Sequence, residues 1–229
     1  MKLCIIGYGK MGKAIQRLAP QYGFNNVVII DNETDWLQKK SEIKTCNMAI
    51  EFSTPQTVLS NLTQCFEMRL PVVSGTTGWN EQKEEFLQSW RSIPLSFIYG
   101  SNFSIGANIF FMLNEYLAKQ MRVQSQYSVS IEETHHIHKK DVPSGTALTI
   151  EKTILSQFHD QTNIPIVSHR EGETVGEHIV LYQSNEDVIQ IKHTALNRDA
   201  FAHGALKAAV WLVSHSGIFE FERIFLNLL

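Results

Sequence analysis

Along the first hundred residues, apolar positions follow two alternating periods. Short apolar runs read as strands that are buried on both faces: Lys2-Leu3-Cys4-Ile5-Ile6, Val27-Val28-Ile29-Ile30, Met48-Ala49-Ile50-Glu51-Phe52, Leu70-Pro71-Val72-Val73-Ser74 and Leu95-Ser96-Phe97-Ile98-Tyr99. Between them, apolar residues recur three and four apart, as in Ala14, Ile15 and Leu18, or in Val58, Leu59, Leu62, Cys65 and Phe66. Those stretches, and a third from about Asn80 to Trp90, read as amphipathic helices. Thr54 is expected as the N-cap of the second helix and Pro55 as its first residue. Alternation of strand and helix predicts a parallel sheet with crossover helices. Each strand runs into a polar or glycine-bearing loop, and those loops should line one crevice, because open α/β sheets bind ligands outside the carboxyl ends of their strands.

Beyond Asn102 the pattern changes. A long helix is predicted with Ile109, Leu113, Tyr116 and Leu117 on its apolar face, followed by a β-rich segment from about Tyr127 to Leu196. That segment contains a helix from Gly145 to about Phe158 and strand-like runs at Ile164-Val167, His178-Gln183 and Val188-His193. Ser184 to Asp187 joins the last two as an antiparallel hairpin. Ala200 to Ser216 reads as a final helix, with Phe201, Ala205, Ala208, Ala209 and Leu212 at helical spacing and Gly217 as its stop. The fold class expected is therefore α/β: a Rossmann-type parallel-sheet domain, residues 1–103 with 200–229, plus a second α+β domain with an open mixed sheet, residues 104–199.

The first strand gives the glycines their meaning. Gly7-Tyr8-Gly9-Lys10-Met11-Gly12 is a G-x-G-x-x-G loop between a strand and a helix, and Asp31 ends the next strand nineteen residues past Gly12. In a dinucleotide fold, Gly7 permits the tight turn, Gly9 admits the pyrophosphate and Gly12 allows close packing of helix on strand. A carboxylate at Asp31 binds the adenosine ribose.

The other chemically dense stretch runs from Glu133 to Ala147. It holds His135, His136, His138, Lys139 and Lys140, then Ser144-Gly145-Thr146 at a helix start. Imidazoles exchange protons near neutral pH, ammonium groups fix anions, and first-turn amides receive a carboxylate. The combination points to an acidic substrate that is protonated during turnover. No metal is expected, because neighbouring histidines on an extended strand point to opposite faces. Ser144 reads as a helix N-cap even where it also touches substrate.

Composition narrows the partners. With 229 residues, a net charge of −3 and acidic and basic groups interspersed, the chain has no basic stripe for nucleic acid. No apolar run is long enough for a membrane span, and the N-terminal apolar run enters a glycine loop and not a signal-peptide cleavage site. The expectation is a cytoplasmic protein with Cys4, Cys46 and Cys65 as reduced core thiols.

Taken together these segments resemble dihydrodipicolinate reductase (4-hydroxy-tetrahydrodipicolinate reductase), the pyridine-nucleotide enzyme of the diaminopimelate route to lysine. The resemblance also rests on Glu51-Phe52-Ser53-Thr54-Pro55, Ser74-Gly75-Thr76-Thr77-Gly78, Ser101-Asn102-Phe103-Ser104-Ile105-Gly106, Gly172 to His178 and Asn197 to Ala205. It implies hydride transfer from NADH or NADPH, with His135 as catalytic acid/base and Lys139 as a second proton donor. It also implies substrate contacts at His136, Ser144, Gly145, Thr146 and, more weakly, Arg198, and cofactor contacts at Gly7 to Gly12, Asp31, Gly75, Thr76, Thr77, Gly100, Ser101, Asn102 and Phe103. A homotetramer built through the second domain's sheet, acting on a small dicarboxylate, is part of the same expectation. Two departures stand out. The family commonly has arginine after the acidic residue where this chain has Asn32, which favours NADH, although Lys39 and Lys40 lie near enough in sequence to reach a phosphate; and the glycine loop is one residue tighter than the commoner form. Two rivals stay open: another nicotinamide reductase of a cyclic or keto acid, and a non-catalytic NAD-binding regulator.

Overall fold

A computed structural model describes residues 1–158 and 162–228. In chain order, the first part runs β1 (Lys2–Ile6), α1 (Lys10–Leu18), β2 (Asn26–Ile30), α2 (Glu33–Gln38), α3 (Lys40–Ile43), β3 (Met48–Glu51), α4 (Val58–Glu67), β4 (Val72–Ser74), α5 (Asn80–Ser89) and β5 (Ser96–Tyr99). The middle part contains α6 (Ile105–Met121), β6 (Ser128–His135), α7 (Gly145–Leu155), β7 (Ile166–Arg170), β8 (Gly176–Gln183) and β9 (Val188–Ala195). The last part contains α8 (Asp199–Leu212), β10 (Gly217–Glu220), α9 (Phe221–Ile224) and a closing 3₁₀ turn, Phe225–Leu228. The chain divides into two compact units, residues 1–105 with 198–228, and residues 106–158 with 162–197.

The first unit is a six-stranded, all-parallel sheet in the order β10-β5-β4-β3-β1-β2. After β2 the chain crosses back to the far side of β1, so the direction of winding reverses between β1 and β3, and the crevice for a ligand opens there. The inner strands are mostly apolar because both faces are covered, with Glu51 and Ser74 as buried exceptions at their carboxyl ends. Leu3, Ile5, Met48, Ile50, Val73 and Ile98 pack with α1 and α8, while Cys4, Ile6, Ala49, Val72 and Phe97 pack with α4 and the aromatic cluster of Phe66, Phe86 and Trp90. On α4, Val58, Leu62, Cys65 and Phe66 turn inward.

The second unit is a four-stranded mixed sheet, β7-β6-β8-β9, with β6 parallel to β7 and antiparallel to β8. The turn at Ser184–Asp187 makes the β8–β9 hairpin, held by Ser184 N donating to Asp187 O at 3.0 Å. One face of the sheet, with Val129, Ile131, Val180 and Tyr182, packs on Phe110 and Ala118 of α6 and Ile150 and Ile154 of α7.

Four local expectations give way. Helix α4 begins at Val58 and not at Thr54, because the hydroxyls of Ser53, Thr54 and Thr57 bond to one another and hold residues 55–57 in a turn. Helix α6 buries Phe110, Asn114, Ala118 and Met121, leaving Ile109, Leu113 and Tyr116 exposed; of the expected apolar face only Leu117 packs on the core. Helix α7 ends at Leu155, short of Phe158. Gly217 starts a strand instead of merely ending a helix: α8 stops at Leu212, and Gly217 N donates to Leu95 O at 2.8 Å, opening β10 along β5. The thiols are unpaired, with Cys4 and Cys65 buried and Cys46 half-buried.

Candidate active site

In the first unit, the glycine loop is built by close approach. Gly7 has φ +86°, and a Cβ there would stand 2.1 Å from the carbonyl oxygen of Phe52, so only glycine lets β1 end beside β3. A Cβ on Gly12 would stand 2.2 Å from Gly7 O, which lets α1 press onto its own loop. Gly9 caps α1 without a side chain, and Lys13 N is the first amide bonded back, to Gly9 O at 3.1 Å. The amides of Lys10, Met11 and Gly12 precede that bond and, with the helix dipole, suit an anion. Tyr8 N donates to Asp31 Oδ1 at 2.8 Å, while the Tyr8 hydroxyl bonds to Gln16. These features fit a dinucleotide.

A pocket at the carboxyl ends of β1, β2 and β3 is lined by Gly7, Tyr8, Gly9, Asp31, Asn32 and Glu33, with Ser53 and Thr54 opposite. Two carboxylates line it and, among the described residues, no lysine or arginine does. Asn32 caps α2 by accepting from Asp35 N at 3.0 Å. Lys39 is held by Asp35 at 2.7 Å and by Ile29 O at 2.8 Å, and Lys40 lines a different pocket with Lys44 and Glu67.

A second pocket joins Gly9, Lys10 and Met11 to Gly75, Thr76 and Thr77. Its floor depends on Glu51, a fully buried carboxyl that accepts from Ser74 Oγ at 2.6 Å, Thr76 Oγ1 at 2.9 Å, Ser53 N at 3.0 Å and the Ser53 hydroxyl. Burial pushes the Glu51 carboxyl up, against those hydrogen bonds. Glu222 likewise holds the next loop: its Oε1 accepts from Ser101 N at 2.7 Å, Ser101 Oγ at 2.8 Å and Asn102 N at 3.2 Å. Gly100 N donates to Ser74 O at 3.2 Å. Phe103 is buried, its ring 4.4 Å from that of Phe221 and its carbonyl packed against Gly204 of α8, so its side chain is part of the core. Arg198 also belongs to this unit, at the N-cap of α8 next to Asp199, which pairs with Arg17.

In the second unit, the strand register collects a polar row on the buried face. Glu133 and His135 are two apart on β6 and so share that face; Ser168 and His178 lie directly across from Glu133, and Arg170 lies across from His135. Glu133 Oε1 accepts from Ser168 Oγ at 2.7 Å, Ser144 N at 3.1 Å and Arg170 Nη2 at 3.4 Å. Oε2 stands 3.1 Å from His135 Nδ1 and 3.9 Å from His178 Nε2. The first of these distances is that of an ion pair, although the ring is not aligned for a linear hydrogen bond. The motif's own three histidines do not converge: His136 is half-buried and His138 is exposed beside Glu173. The atoms that do converge, within 4.8 Å, belong to Glu133, His135 and His178. Arg170 already neutralises that carboxylate, so the set is an ion-pair network and not a cation cage.

Ser144 is the N-cap of α7, accepting from Ala147 N at 3.2 Å, and its Oγ lies 3.2 Å from His178 Nε2. Gly145 and Thr146 supply the first-turn amides, with open space where a Gly145 side chain would be. Lys139 Nζ donates to Asp141 Oδ2 at 2.8 Å, and Arg170 Nη2 donates to Asp141 O at 2.7 Å. Lys139, foremost, therefore holds the Asp141 carboxyl below the usual range. Burial pushes His135 down, against the pull of Glu133 and with help from Lys139 and Arg170. Burial opposes ionisation of Glu133, but the Ser144 and Ser168 hydrogen bonds and His135 outweigh it and hold the carboxyl below its ordinary value. Burial, then the neighbouring His135, pushes His178 down to about 4, so it is neutral near pH 7.

Residues 1–103 match the family described as dihydrodipicolinate reductase, N-terminus, and residues 106–225 match dihydrodipicolinate reductase, C-terminus. The chain belongs to the dihydrodipicolinate reductase family. Among curated members named 4-hydroxy-tetrahydrodipicolinate reductase, the protein of Christiangramia forsetii is 39% identical over 100% of this chain and 99% of its own length. That of Rickettsia rickettsii is 32% identical over 95% of each. The structure of a dipicolinate-bound dihydrodipicolinate reductase from Paenisporosarcina sp. TG-14 shares the fold, with TM-score 0.73 at 20% identity over 98% of this chain and 99% of that one. An amine dehydrogenase from Mycobacterium smegmatis, TM-score 0.54 at 8% identity over 97% and 95% of the two chains, shares the fold more loosely.

The depressed pKa of His178 ties stability to pH. From about pH 6.5 down to about pH 4, an unfolded His178 takes up a proton that the folded protein refuses, so stability is full above that window and falls through it as pH is lowered. The expected loss is about 3 kcal/mol. Urea unfolding of the wild type and His178→Gln across this range checks it; an equally steep decline in both proteins would contradict the assignment.

Proposed function

We propose that this chain reduces 4-hydroxy-tetrahydrodipicolinate, after loss of its hydroxyl as water, to tetrahydrodipicolinate. The first unit holds the nucleotide; the second holds the dicarboxylate and supplies protons. The observation that carries the reading is the Glu133–His135–Arg170 network beside a capped helix start, in a chain whose family is established. A bound nicotinamide supplies the hydride. The chain's residues do the rest. The first-turn amides of Gly145 and Thr146 receive one substrate carboxylate, and His136 adds a polar contact to the substrate. His135 protonates the electron-rich ring carbon that hydride addition to a conjugated imine leaves behind, and Lys139 serves as the second proton donor.

His135→Gln is expected to lower kcat by about 10²- to 10⁴-fold with little change in KM. NADH oxidation followed by absorbance with freshly prepared substrate measures it, and unchanged turnover would remove the acid/base role.

For the cofactor, we infer a preference for NADH. Asp31 and Glu33 line the adenosine pocket, Lys39 is committed to Asp35, and no guanidinium follows Asp31 to offset repulsion of a 2′-phosphate. The expected ratio of kcat/KM for NADH over NADPH is about tenfold, the effect of roughly 1.4 kcal/mol of repulsion. Asn32→Arg should narrow it, and equal efficiency in the wild type would refute the preference.

We also infer a homotetramer assembled through the second unit's sheet. The face opposite the helices presents half-buried Ile179 and Leu181, ringed by Ser130, Glu132, Gln190 and Lys192, a self-complementary mix of apolar centre and opposite charges. Sedimentation velocity should give one species of tetramer mass, lost in Leu181→Asp; a monomer in the wild type would reject the assembly. Unpaired thiols, and the lack among the described residues of any helix long and apolar enough to cross a membrane, are compatible with a place in the cytoplasm.

A further inference from the structure

We propose that Glu133 is the positioning residue of the proton donor: its buried carboxylate fixes the tautomer and orientation of His135 and stabilises the imidazolium form. The inference rests on the reading of His135 as the acid/base.

A proton donor on a strand end needs two things that the strand alone does not provide. Its ring must be held in one rotation about χ2, and the nitrogen that does not react must keep its proton. Glu133 is placed to supply both. It lies two residues upstream on the same face of β6, and Oε2 is 3.1 Å from His135 Nδ1, an ion-pair contact that a small rotation of the ring about χ2 turns into a linear hydrogen bond. The carboxylate cannot swing away, because its other oxygen is tied to three groups at once: the Ser168 hydroxyl and the Arg170 guanidinium of β7 and the Ser144 amide at the start of α7. Glu133 is fully buried, so the pair acts at low dielectric, where a fixed carboxylate orients an imidazole most strongly. With Nδ1 turned to Glu133, Nε2 is left as the exchanging atom. It lies on the side of the ring where Gly176 presents no side chain, since a Cβ there would come within 3.1 Å of it.

The charged and titratable groups around His135 act in opposite senses. Arg170 of β7, Lys139 in the loop after β6, and His178 of β8 when protonated disfavour the imidazolium; Glu133 of β6 and Asp141 of the same loop favour it. Removing Glu133 leaves the ring among cations with its main anionic partner gone. The proton is then lost more readily, so the descending limb of a kcat–pH profile, which reports loss of the acid's proton, moves to lower pH.

The test compares the wild type with Glu133→Gln, Glu133→Asp and Ser168→Ala, each holding its second unit's fold as judged by amide NMR spectra. Nitrogen-15 NMR of the histidine side chains reads the His135 tautomer and titration directly, and steady-state assays read kcat, KM and their pH limbs. The expected result for Glu133→Gln is a kcat lower by about 10- to 100-fold, a KM within about threefold, a descending limb displaced to lower pH and a mixed His135 tautomer. Glu133→Asp should recover part of each change, and Ser168→Ala, which frees the carboxylate without removing it, should give a smaller shift in the same direction. A Glu133→Gln enzyme with the wild-type tautomer, titration and pH limb overturns the proposal, as does one whose loss is wholly in KM. If Glu133→Gln fails to fold, Glu133→Asp and Ser168→Ala decide the matter in its place: an unchanged His135 tautomer and titration in both overturns the proposal. The outcome in which His135 responds to Glu133 in the NMR spectra but His135→Gln turns over normally would sink the acid/base reading and leave the pairing standing.

Discussion

A carboxylate with no exposed surface is an expensive thing to place in a β-sheet, and the second unit is organised around making one tolerable. Glu133 sits on the middle strand of its face, so every polar neighbour it needs must come from the flanking strands or from the one helix start within reach. Ser168 and Arg170 come from β7, His178 from β8 and the Ser144 amide from the start of α7. Removing any one partner leaves the others paired to a buried charge that has lost part of its compensation, which is more destabilising than losing an exposed bridge. The same four partners fix the start of α7 and the edge strand β7. The segment from His136 to Pro143, which bears Lys139 and Asp141, is thus anchored to one side chain, by an ion pair at the His135 end and a hydrogen bond at the Ser144 end, with Arg170 reaching from Glu133 to the Asp141 carbonyl.

The first unit solves the same problem with the opposite chemistry. Glu51 is equally buried, but its partners are hydroxyls and one amide, with no cation among its hydrogen bonds. Burial therefore wins and raises its carboxyl, whereas at Glu133 the hydrogen bonds and the neighbouring positive groups win and keep the charge. The difference follows from the partners. At Glu51 the donors are neutral hydroxyls and an amide, while at Glu133 a guanidinium and an imidazole stand beside the carboxylate.

Much of this was legible in the chain. The glycine loop, the five parallel strands from β1 to β5 and the β8–β9 hairpin follow from local period and turn chemistry, which leave few alternatives for short apolar runs bounded by glycine and polar loops. The inward face of α4 was readable because its apolar residues form one stripe. Helix α6 was not, since it carries two stripes; the one with bulkier aliphatic residues lost to Phe110, Ala118 and Met121, whose smaller members admit the sheet closely. β10 was hidden because a glycine and the three residues after it read as a tail until a partner edge, here β5, is known to be vacant for them. Glu133 carried a usable sign, a carboxylate two residues before a histidine on a strand and hence on its face. Ser168, Arg170 and His178 carried none, because pairing between strands thirty or more residues apart cannot be read without the register.

The register also explains why His135 and not its neighbours joins the buried network. Residues 133 and 135 face the buried side with Arg170 and His178, where dielectric is low and each charge is felt strongly; 134 faces the other side, and 136 lies past the strand's end. A one-residue slip of β6 would re-form a backbone ladder with new partners and yet exchange Glu133 and His135 for Glu132 and Thr134, emptying the buried network of its carboxylate and imidazole. The carboxylate prevents that slip, since only in the native register does it meet Ser168 on one side and His178 on the other. The side chain at the centre of the buried network therefore also locks the strand that carries it, so the polar cluster and the pairing of this sheet are specified together.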